Sequence, residues 1–250
     1  MKLTLRLGIF VTTILLTVSC FGGARHFTFL YEAPTSAPGS VELENWVTWQ
    51  RGSTPARFDQ VDFRHELEVG ITDRFQASIY LADWFYANDP SHSGFTYSDS
   101  AIELIYNLSN PVVDPVGLSL YEEINVGRQH FELESKLIAQ KNFGRLILDY
   151  NATLEAEWGA KGLEEYNGEL QQALGVSYEI SPRVSVGLEF LHEFVFPQWQ
   201  DRAKIRNVFV GPNVAVRHGN WFVTVTALAQ ATDTADEADF QVRTIFGIGL

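Results

Sequence analysis

The sequence predicts an all-β chain, closed into an up-and-down antiparallel transmembrane β-barrel of about twelve strands. Three observations predict this fold. Apolar and polar residues alternate with period two, as in Val61–Ile71, which is the pattern of a strand with one apolar and one wet face. An export-type segment precedes the first such strand. Short turns alternate with longer polar loops, as in barrels that cross bacterial outer membranes.

The N-terminal 24 residues are predicted to be a signal peptide. Lys2 and Arg6 form a basic start, and Leu7 to Val18 is an apolar stretch that is too short to cross a bilayer as a helix. The small residues Gly22 to Ala24 offer a cleavage site. Lipoprotein processing at Cys20 is the alternative, although Thr17 stands where a Leu is expected.

Composition restricts the function classes. The net charge is −13, and removal of Lys2 and Arg6 with the signal peptide makes it −15. A chain with this much negative charge is repelled by nucleic acids and by anionic surfaces, which argues against either as a partner. Cys20 is the only Cys, so the mature chain is expected to contain no disulfide.

The predicted strands follow one another to the C-terminus with turn-forming residues between them. Residues 25–40 are expected to be irregular, in the lumen or at the periplasmic mouth, and His26–Tyr31 offers a further strand there. The barrel itself is assigned to residues 41–250. The predicted strands are 41–50, 60–71, 75–86, 97–108, 116–126, 130–141, 145–158, 169–180, 184–195, 207–217, 221–231 and 239–250.

Alternation assigns the charged face of these strands to the lumen, because lipid accepts only the apolar face. The carboxylates assigned to the inner face outnumber the cations. The residues predicted to line the lumen are Glu42, Glu44, Asp62, Arg64, Glu66, Glu68, Glu123, Glu132, Glu134, Lys136, Asp149, Glu155, Glu157, Glu189 and Arg243.

Some residues do not fit strict alternation. Asn45, His65, Glu122 and His192 fall on the apolar face, and Glu122 is adjacent to Glu123. A β-bulge near Glu122 is therefore predicted, since it turns both carboxylates inward. Aromatic residues cluster near strand ends and predict interfacial girdles; they are Trp46, Trp49, Trp84, Phe85, Tyr86, Trp158, Phe194, Phe196 and Trp221.

Two turns and the last strand carry a resemblance. Gly70–Phe75 and Glu179–Val184 resemble the periplasmic turns of uncharacterised, porin-like bacterial outer-membrane β-barrel proteins. Phe246–Leu250 resembles the C-terminal signal that barrel-assembly machinery reads, although Leu250 replaces the usual aromatic residue. The resemblance implies a location in the bacterial outer membrane, with outer-membrane lipid and the assembly machinery as partners. It implies no catalytic residue.

The leading functional hypothesis is a channel or transporter for small hydrophilic or cationic solutes, because an acidic bore attracts cations. The alternative is a structural or surface-interaction barrel with a plugged lumen. An outer-membrane hydrolase is a weaker alternative, since no His is followed two positions later by Ser; an exported soluble barrel or sandwich is another. No catalytic, cofactor-binding or metal-binding residue is predicted, and no nucleic-acid partner.

Overall fold

The computed structural model describes residues 25–250 apart from 55, 91–92, 129, 160–163, 200–204 and 236, so the expected signal peptide and Cys20 lie outside the described residues. None of the described residues belongs to a helix long and apolar enough to cross a membrane. The strands are β1 (Val41–Gly52), β2 (Phe58–Thr72), β3 (Phe75–Tyr80), β4 (Trp84–Asn88), β5 (Ser93–Tyr97), β6 (Asp99–Ser109), β7 (Gly117–Gly127), β8 (His130–Phe143), β9 (Leu146–Gly159), β10 (Glu164–Ser181), β11 (Val184–Pro197), β12 (Ile205–His218), β13 (Trp221–Gln230) and β14 (Phe240–Gly249).

These strands form one antiparallel sheet that closes on itself, because β1 pairs with both β2 and β14. The ring contains β1–β3 and β6–β14, which makes twelve strands, with β4 and β5 as two additional ones. The predicted fold class is confirmed. A two-sheet sandwich is excluded, since closure leaves the ring itself without an edge.

The two additional strands arise from interruptions in two of the predicted strands. Residues 81–83 separate β3 from β4, and Ser98 separates β5 from β6. The two interruptions face each other: the amide of Asp83 donates to the carbonyl of Asp99 at 2.8 Å, and that of Ser98 donates to the carbonyl of Asp83 at 2.8 Å. Hairpin β4–β5 therefore extends beyond the ring, paired to β2 through β4.

Both chain ends of the barrel lie at the end of the ring that carries the short turns, which we call the short-turn end. Leu250 donates its amide to the carbonyl of Val41 at 2.8 Å. The turns after β2, β6, β8, β10 and β12 lie at this end, because each strand pairs with its neighbour in antiparallel register. The other end carries the longer loops and is called the long-loop end.

Alternation separates an apolar outer surface from a polar interior. Large apolar side chains remain exposed on the outside; examples are Ile79, Ile102, Leu104, Leu120, Leu154, Leu188 and Val210. Their sequence neighbours on the inside are buried, among them Ser78, Glu103 and Glu189. An exposed apolar band of this extent is suited to hydrocarbon rather than to water.

Two predictions about individual residues were wrong. No bulge occurs at Glu122, which stays in regular register between Leu104 and Ser135. Its exposed carboxylate accepts a hydrogen bond from Ser135 Oγ at 2.7 Å on the outer face, and that local partner replaces the need for a bulge. Trp46 belongs to no girdle: it is buried inside, because it shares the face of Glu42 and Glu44 on β1.

Asn45, His65 and His192, the other polar residues predicted on the outer face, also have partners on adjacent strands. His65 Nδ1 lies 2.9 Å from Asn45 Oδ1, and Trp84 Nε1 lies 3.3 Å from His65 Nε2. His192 Nε2 accepts a hydrogen bond from Arg206 Nε at 3.0 Å. Local pairing reduces the cost of a polar group that faces an apolar environment.

Candidate functional site in the barrel lumen

The lumen is occupied in its short-turn half by residues 25–36, which we call the plug. The plug contains no strand, so the possible strand at His26–Tyr31 is not formed. Phe27, Leu30 and Ala33 are buried inside the ring. Residues 37–40 then connect it to β1, and Gly39 donates its amide to the carbonyl of Gly70 at 2.8 Å.

Polar contacts tie the plug to almost the whole ring. The amides of Thr28 and Phe29 donate to Glu189 at 3.0 and 2.7 Å, that of Tyr31 to Asn151 Oδ1 at 2.7 Å, and that of Ala33 to Gln140 Oε1 at 2.8 Å. Among the described residues, hydrogen bonds or ion pairs join the plug to β1, β2, β3, β6, β7, β8, β9, β10, β11, β13 and β14.

Apolar contacts complete the seating of the plug. Phe27 and Leu30 form a cluster with residues that include Phe209 of β12, the remaining ring strand. Tyr31 and Ala33 form a second cluster with Trp46 and other inner-wall residues. Gly175 makes room for the ring of Phe27, since a Cβ at position 175 would lie 2.6 Å from Phe27 Cε1. The plug is thus packed as a small core within the barrel.

A row of carboxylates crosses the inner wall above and beside the plug. Eight consecutive ring strands present directly opposed inward positions, and seven of these are Glu. In ring order the positions are Glu42, Glu68, Ser78, Glu103, Glu123, Glu134, Glu155 and Glu169. Barrel strands are tilted, so a row perpendicular to them climbs along the bore. It begins near the start of β1 at the short-turn end and finishes near the start of β10 at the long-loop end.

A second, mixed row runs beside the first. It contains Glu44, Glu66, Tyr80, Ala101, Asn125, Glu132, Glu157 and Asn167. Neighbouring strands lie about 4.8 Å apart, so members of either row stand close to one another. Like charges directly opposite on adjacent strands destabilise a sheet. The rows therefore need compensation or hydration.

Compensation is concentrated in the short-turn half and the middle of the barrel. Arg25 Nε of the plug lies 2.8 Å from Glu44 Oε1. Arg64 bridges Asp83 at 2.6 Å and Glu123 at 2.7 Å, and Lys136 Nζ lies 2.7 Å from Glu134 Oε1. Glu68 accepts hydrogen bonds from Ser36 of the plug and from Gln76.

The long-loop half has fewer cations. In the part of the chain that the structure describes, no basic side chain lies within 4 Å of the carboxylates of Glu132, Glu155 or Glu157. Glu132 and Glu157 instead accept hydrogen bonds from Asn125 at 3.0 Å and Asn167 at 3.3 Å.

The other residues named from the sequence also lie on the inner wall. Asp62 accepts hydrogen bonds from Gln50 at 2.9 Å and Gln60 at 2.7 Å, while buried Asp149 accepts one from Asn151 at 3.1 Å. Arg243 donates to Thr48 Oγ1 at 2.9 Å and stacks 4.0 Å from the ring centre of Phe29. Glu42 is buried near the start of β1.

A cavity of about 270 Å³ extends from the middle of the bore toward the long-loop end, with the plug as its floor. Its lining is largely polar. The residues that line it include Thr28, Phe29, Tyr31, Gln50, Arg64, Glu134, Lys136, Gln171, Glu193, Glu237, Gln241 and Arg243. Positive and negative groups both reach it, so its surface is less uniformly acidic than composition suggested.

No metal centre is apparent, since the described residues contain no group of three or more His, Cys, Asp or Glu side chains arranged to hold an ion. Sequence reasoning left residues 25–40 either in the lumen or at the periplasmic mouth, and it did not identify the inward apolar residues that hold the plug. Ile147, Phe222 and Ile245 interrupt the polar inner face near the short turns. Apolar residues on both faces at one end of a strand were the available signal for an internal core.

Comparison with solved structures gives barrels of similar architecture. An outer membrane channel of Pseudomonas putida F1 matches with a TM-score of 0.62 and 11% identity, over 88% of this chain and 99% of that chain. The NanC porin matches with a TM-score of 0.55 and 9% identity, over 82% of this chain and 98% of the porin chain. The β domain of the Bordetella autotransporter BrkA matches with a TM-score of 0.53 and 14% identity, over 84% of this chain and 98% of that domain's chain. Identities this low show the fold alone.

Sequence comparisons define the family. No curated protein sequence matches the chain. A family model covers residues 20–243, which includes the plug and nearly the whole barrel. The chain therefore belongs to the family of unknown function DUF6662.

Proposed function

We propose that this protein is an outer-membrane channel for small hydrophilic or cationic solutes, held closed by its own plug. The observation that carries the proposal is the row of eight opposed positions from Glu42 to Glu169, seven of them Glu and one Ser78, which follows the bore from one end to the other. A structural barrel gains nothing from like charges placed in register. A pore gains an attractive path for cations.

The plug makes closure part of the proposal. It fills the short-turn half of the lumen, and the cavity lies on its long-loop side. A solute therefore enters the cavity first and crosses only when the plug moves. The likeness to an outer membrane channel and a porin agrees with this function.

The test is single-channel recording in planar bilayers on the wild-type protein and on Phe27→Ala, which weakens the plug. We expect rare openings in the wild type and frequent, cation-selective openings in the variant. Glu155→Gln with Glu169→Gln, added to Phe27→Ala, should shift the reversal potential in a KCl gradient toward zero. These two carboxylates lie away from the plug, so the substitutions test selectivity separately from closure.

Glu122→Gln is the matched control. Glu122 is adjacent to Glu123 in sequence but points outward, hydrogen-bonded to Ser135. Its substitution should leave ion selectivity unchanged. A reversal potential that responds equally to Glu122→Gln and to the Glu155/Glu169 pair would contradict a lumenal origin of selectivity.

The second candidate is a non-transporting barrel with a permanently plugged lumen, and the extensive plug contacts favour it. Electrically silent bilayers for both the wild type and Phe27→Ala, from protein shown to be folded by heat-modifiable gel migration, would select this candidate.

A further inference from the structure

The plug places one arginine in a built binding site on the barrel wall. Arg25 Nε lies 2.8 Å from Glu44 Oε1, and its terminal nitrogen lies 3.7 Å from Glu66 Oε2. Its guanidinium carbon stands 4.8 Å from the ring centre of Trp46 and 4.6 Å from that of Tyr31. Trp46 Nε1 donates to Glu44 Oε2 at 2.8 Å, which fixes the carboxylate toward the cation.

The chemistry of this site favours a guanidinium over other cations. A planar guanidinium stacks on an indole face and presents several N–H donors to carboxylates in its plane. Glu44 and Glu66 are 1% and 0% exposed. Both oxygens of Glu66 have no hydrogen-bond partner within the described chain, so the site retains unused acceptors for N–H donors.

Most of the site belongs to the wall and not to the plug. Glu44 and Trp46 lie on β1 and Glu66 lies on β2, whereas only Tyr31 moves with Arg25. Displacement of the plug therefore removes Arg25 and exposes two carboxylates and an indole in the short-turn half of the bore. The wall guanidiniums of Arg64 and Arg243 stay 6.0 and 5.7 Å from the ring centre of Trp46. An uncompensated buried carboxylate pair either takes up a proton or binds another cation.

We propose that Glu44, Glu66 and Trp46 form a recognition site for small solutes that carry a guanidinium group, and that Arg25 occupies it in the closed state. This inference rests on the proposed channel function and names its substrate class. Such a solute competes with Arg25, so its binding favours release of the plug from this part of the wall.

The test uses the full chain with Arg25→Ala and the probe methylguanidinium, with methylammonium for comparison. Binding is measured in detergent by the change in Trp46 fluorescence, which requires no conduction. We expect methylguanidinium to bind Arg25→Ala about tenfold more tightly than methylammonium does, the equivalent of one good stacked contact. Adding Trp46→Phe should abolish the fluorescence change, and adding Glu44→Gln should weaken binding.

Equal responses to the two cations would overturn the proposal, as would binding that survives Glu44→Gln with Glu66→Gln. If Arg25→Ala does not fold, Arg25→Lys replaces it, and methylguanidinium is then expected to displace the Lys side chain. Binding of methylguanidinium in a protein that never conducts would support the site while contradicting the channel; conduction with no guanidinium preference would do the reverse.

Discussion

The two halves of the lumen hold their charges in different ways. In the short-turn half, carboxylates are buried and bound by the plug: Glu189 accepts the amides of Thr28 and Phe29, and Glu44 contacts Arg25. In the long-loop half, Glu155 and Glu157 are part of the same rows but have no cation within 4 Å among the described residues. In the proposed channel, similar residues therefore serve closure in one half and attraction of cations in the other.

Removal of a plug side chain should give the largest effect. Phe27 is fully buried between the plug and the wall. Replacement of a buried Phe by Ala destabilises a packed core by about 3–5 kcal/mol. The equilibrium between the seated and the released plug should therefore shift toward release by more than about a hundredfold. We expect the open probability in bilayer recordings to rise until it saturates. Phe95→Ala, which removes an exposed ring of hairpin β4–β5, is the matched control and should have no such effect.

A wedge in the wall should have the next largest effect. Gly175→Ala introduces a Cβ about 2.6 Å from the ring of Phe27, and overpacking of this kind costs about 1–3 kcal/mol. Open probability should rise about fivefold to a hundredfold. Adding Phe27→Leu should restore part of the closure by giving back volume. A double variant more open than either single one would show that Gly175 and Phe27 do not act through this contact.

Protonation of His26 should produce a moderate effect in the short-turn half. Burial lowers the pKa of His26, but the carboxylates of Glu32, at 2.8 Å, and Glu179 raise it, so that the net shift is upward from 6.5. Glu32 belongs to the plug, so the charged form stabilises the seated plug through Glu179 of the wall, 3.6 Å from His26 Nε2. This contribution is present below pH 6.5 and is lost as pH rises through the raised pKa. Open probability should increase over that range. The increase should be absent in His26→Gln; an identical pH profile in that variant would assign the titration to another group.

The smallest effect should come from the long-loop half. Glu155 stands directly opposite Glu134 and Glu169, so Glu155→Gln relieves like-charge repulsion of about 0.2–1 kcal/mol. The temperature of heat-induced gel shift should rise slightly. Glu44→Gln removes the partner of Arg25 instead and should lower that temperature. Changes of the same sign in both variants would remove the distinction between the two halves.

The extent of successful prediction follows the same division. The alternation of apolar and polar residues was enough to predict the strands of the ring, because lipid requires apolar side chains on the outer face of every strand. It also brought Glu123, Glu134 and Glu155 to the inner wall, since parity alone decides their face. It did not indicate which acids would be paired with plug groups. Pairing depends on contacts such as Tyr31 to Asn151, which are 120 residues apart and have no local pattern.

The alternation pattern also did not predict the interruptions that separate β3 from β4 and β5 from β6. Residues 81–83 are Leu-Ala-Asp and continue the predicted strand without a turn residue such as Gly or Pro. The chain leaves the ring there because the amide of Asp83 bonds to the carbonyl of Asp99 on the neighbouring segment and its carboxylate pairs with Arg64. The error at Glu122 has the opposite origin. A single hydroxyl, Ser135 Oγ, donates a hydrogen bond to the Glu122 carboxylate on the outer face, where the alternation pattern predicted that no carboxylate would lie.

The plug contacts residues that are far apart in the sequence, and this has a consequence for the order in which the barrel assembles. The chain positions it joins range from Glu44, 19 residues away from Arg25, to Arg243, 215 residues away from Thr28. Contacts of such long sequence separation form late, after the intervening chain has been ordered. A seated N-terminal segment is consequently a signature of completed ring closure: a half-built barrel lacks the surfaces that would hold it.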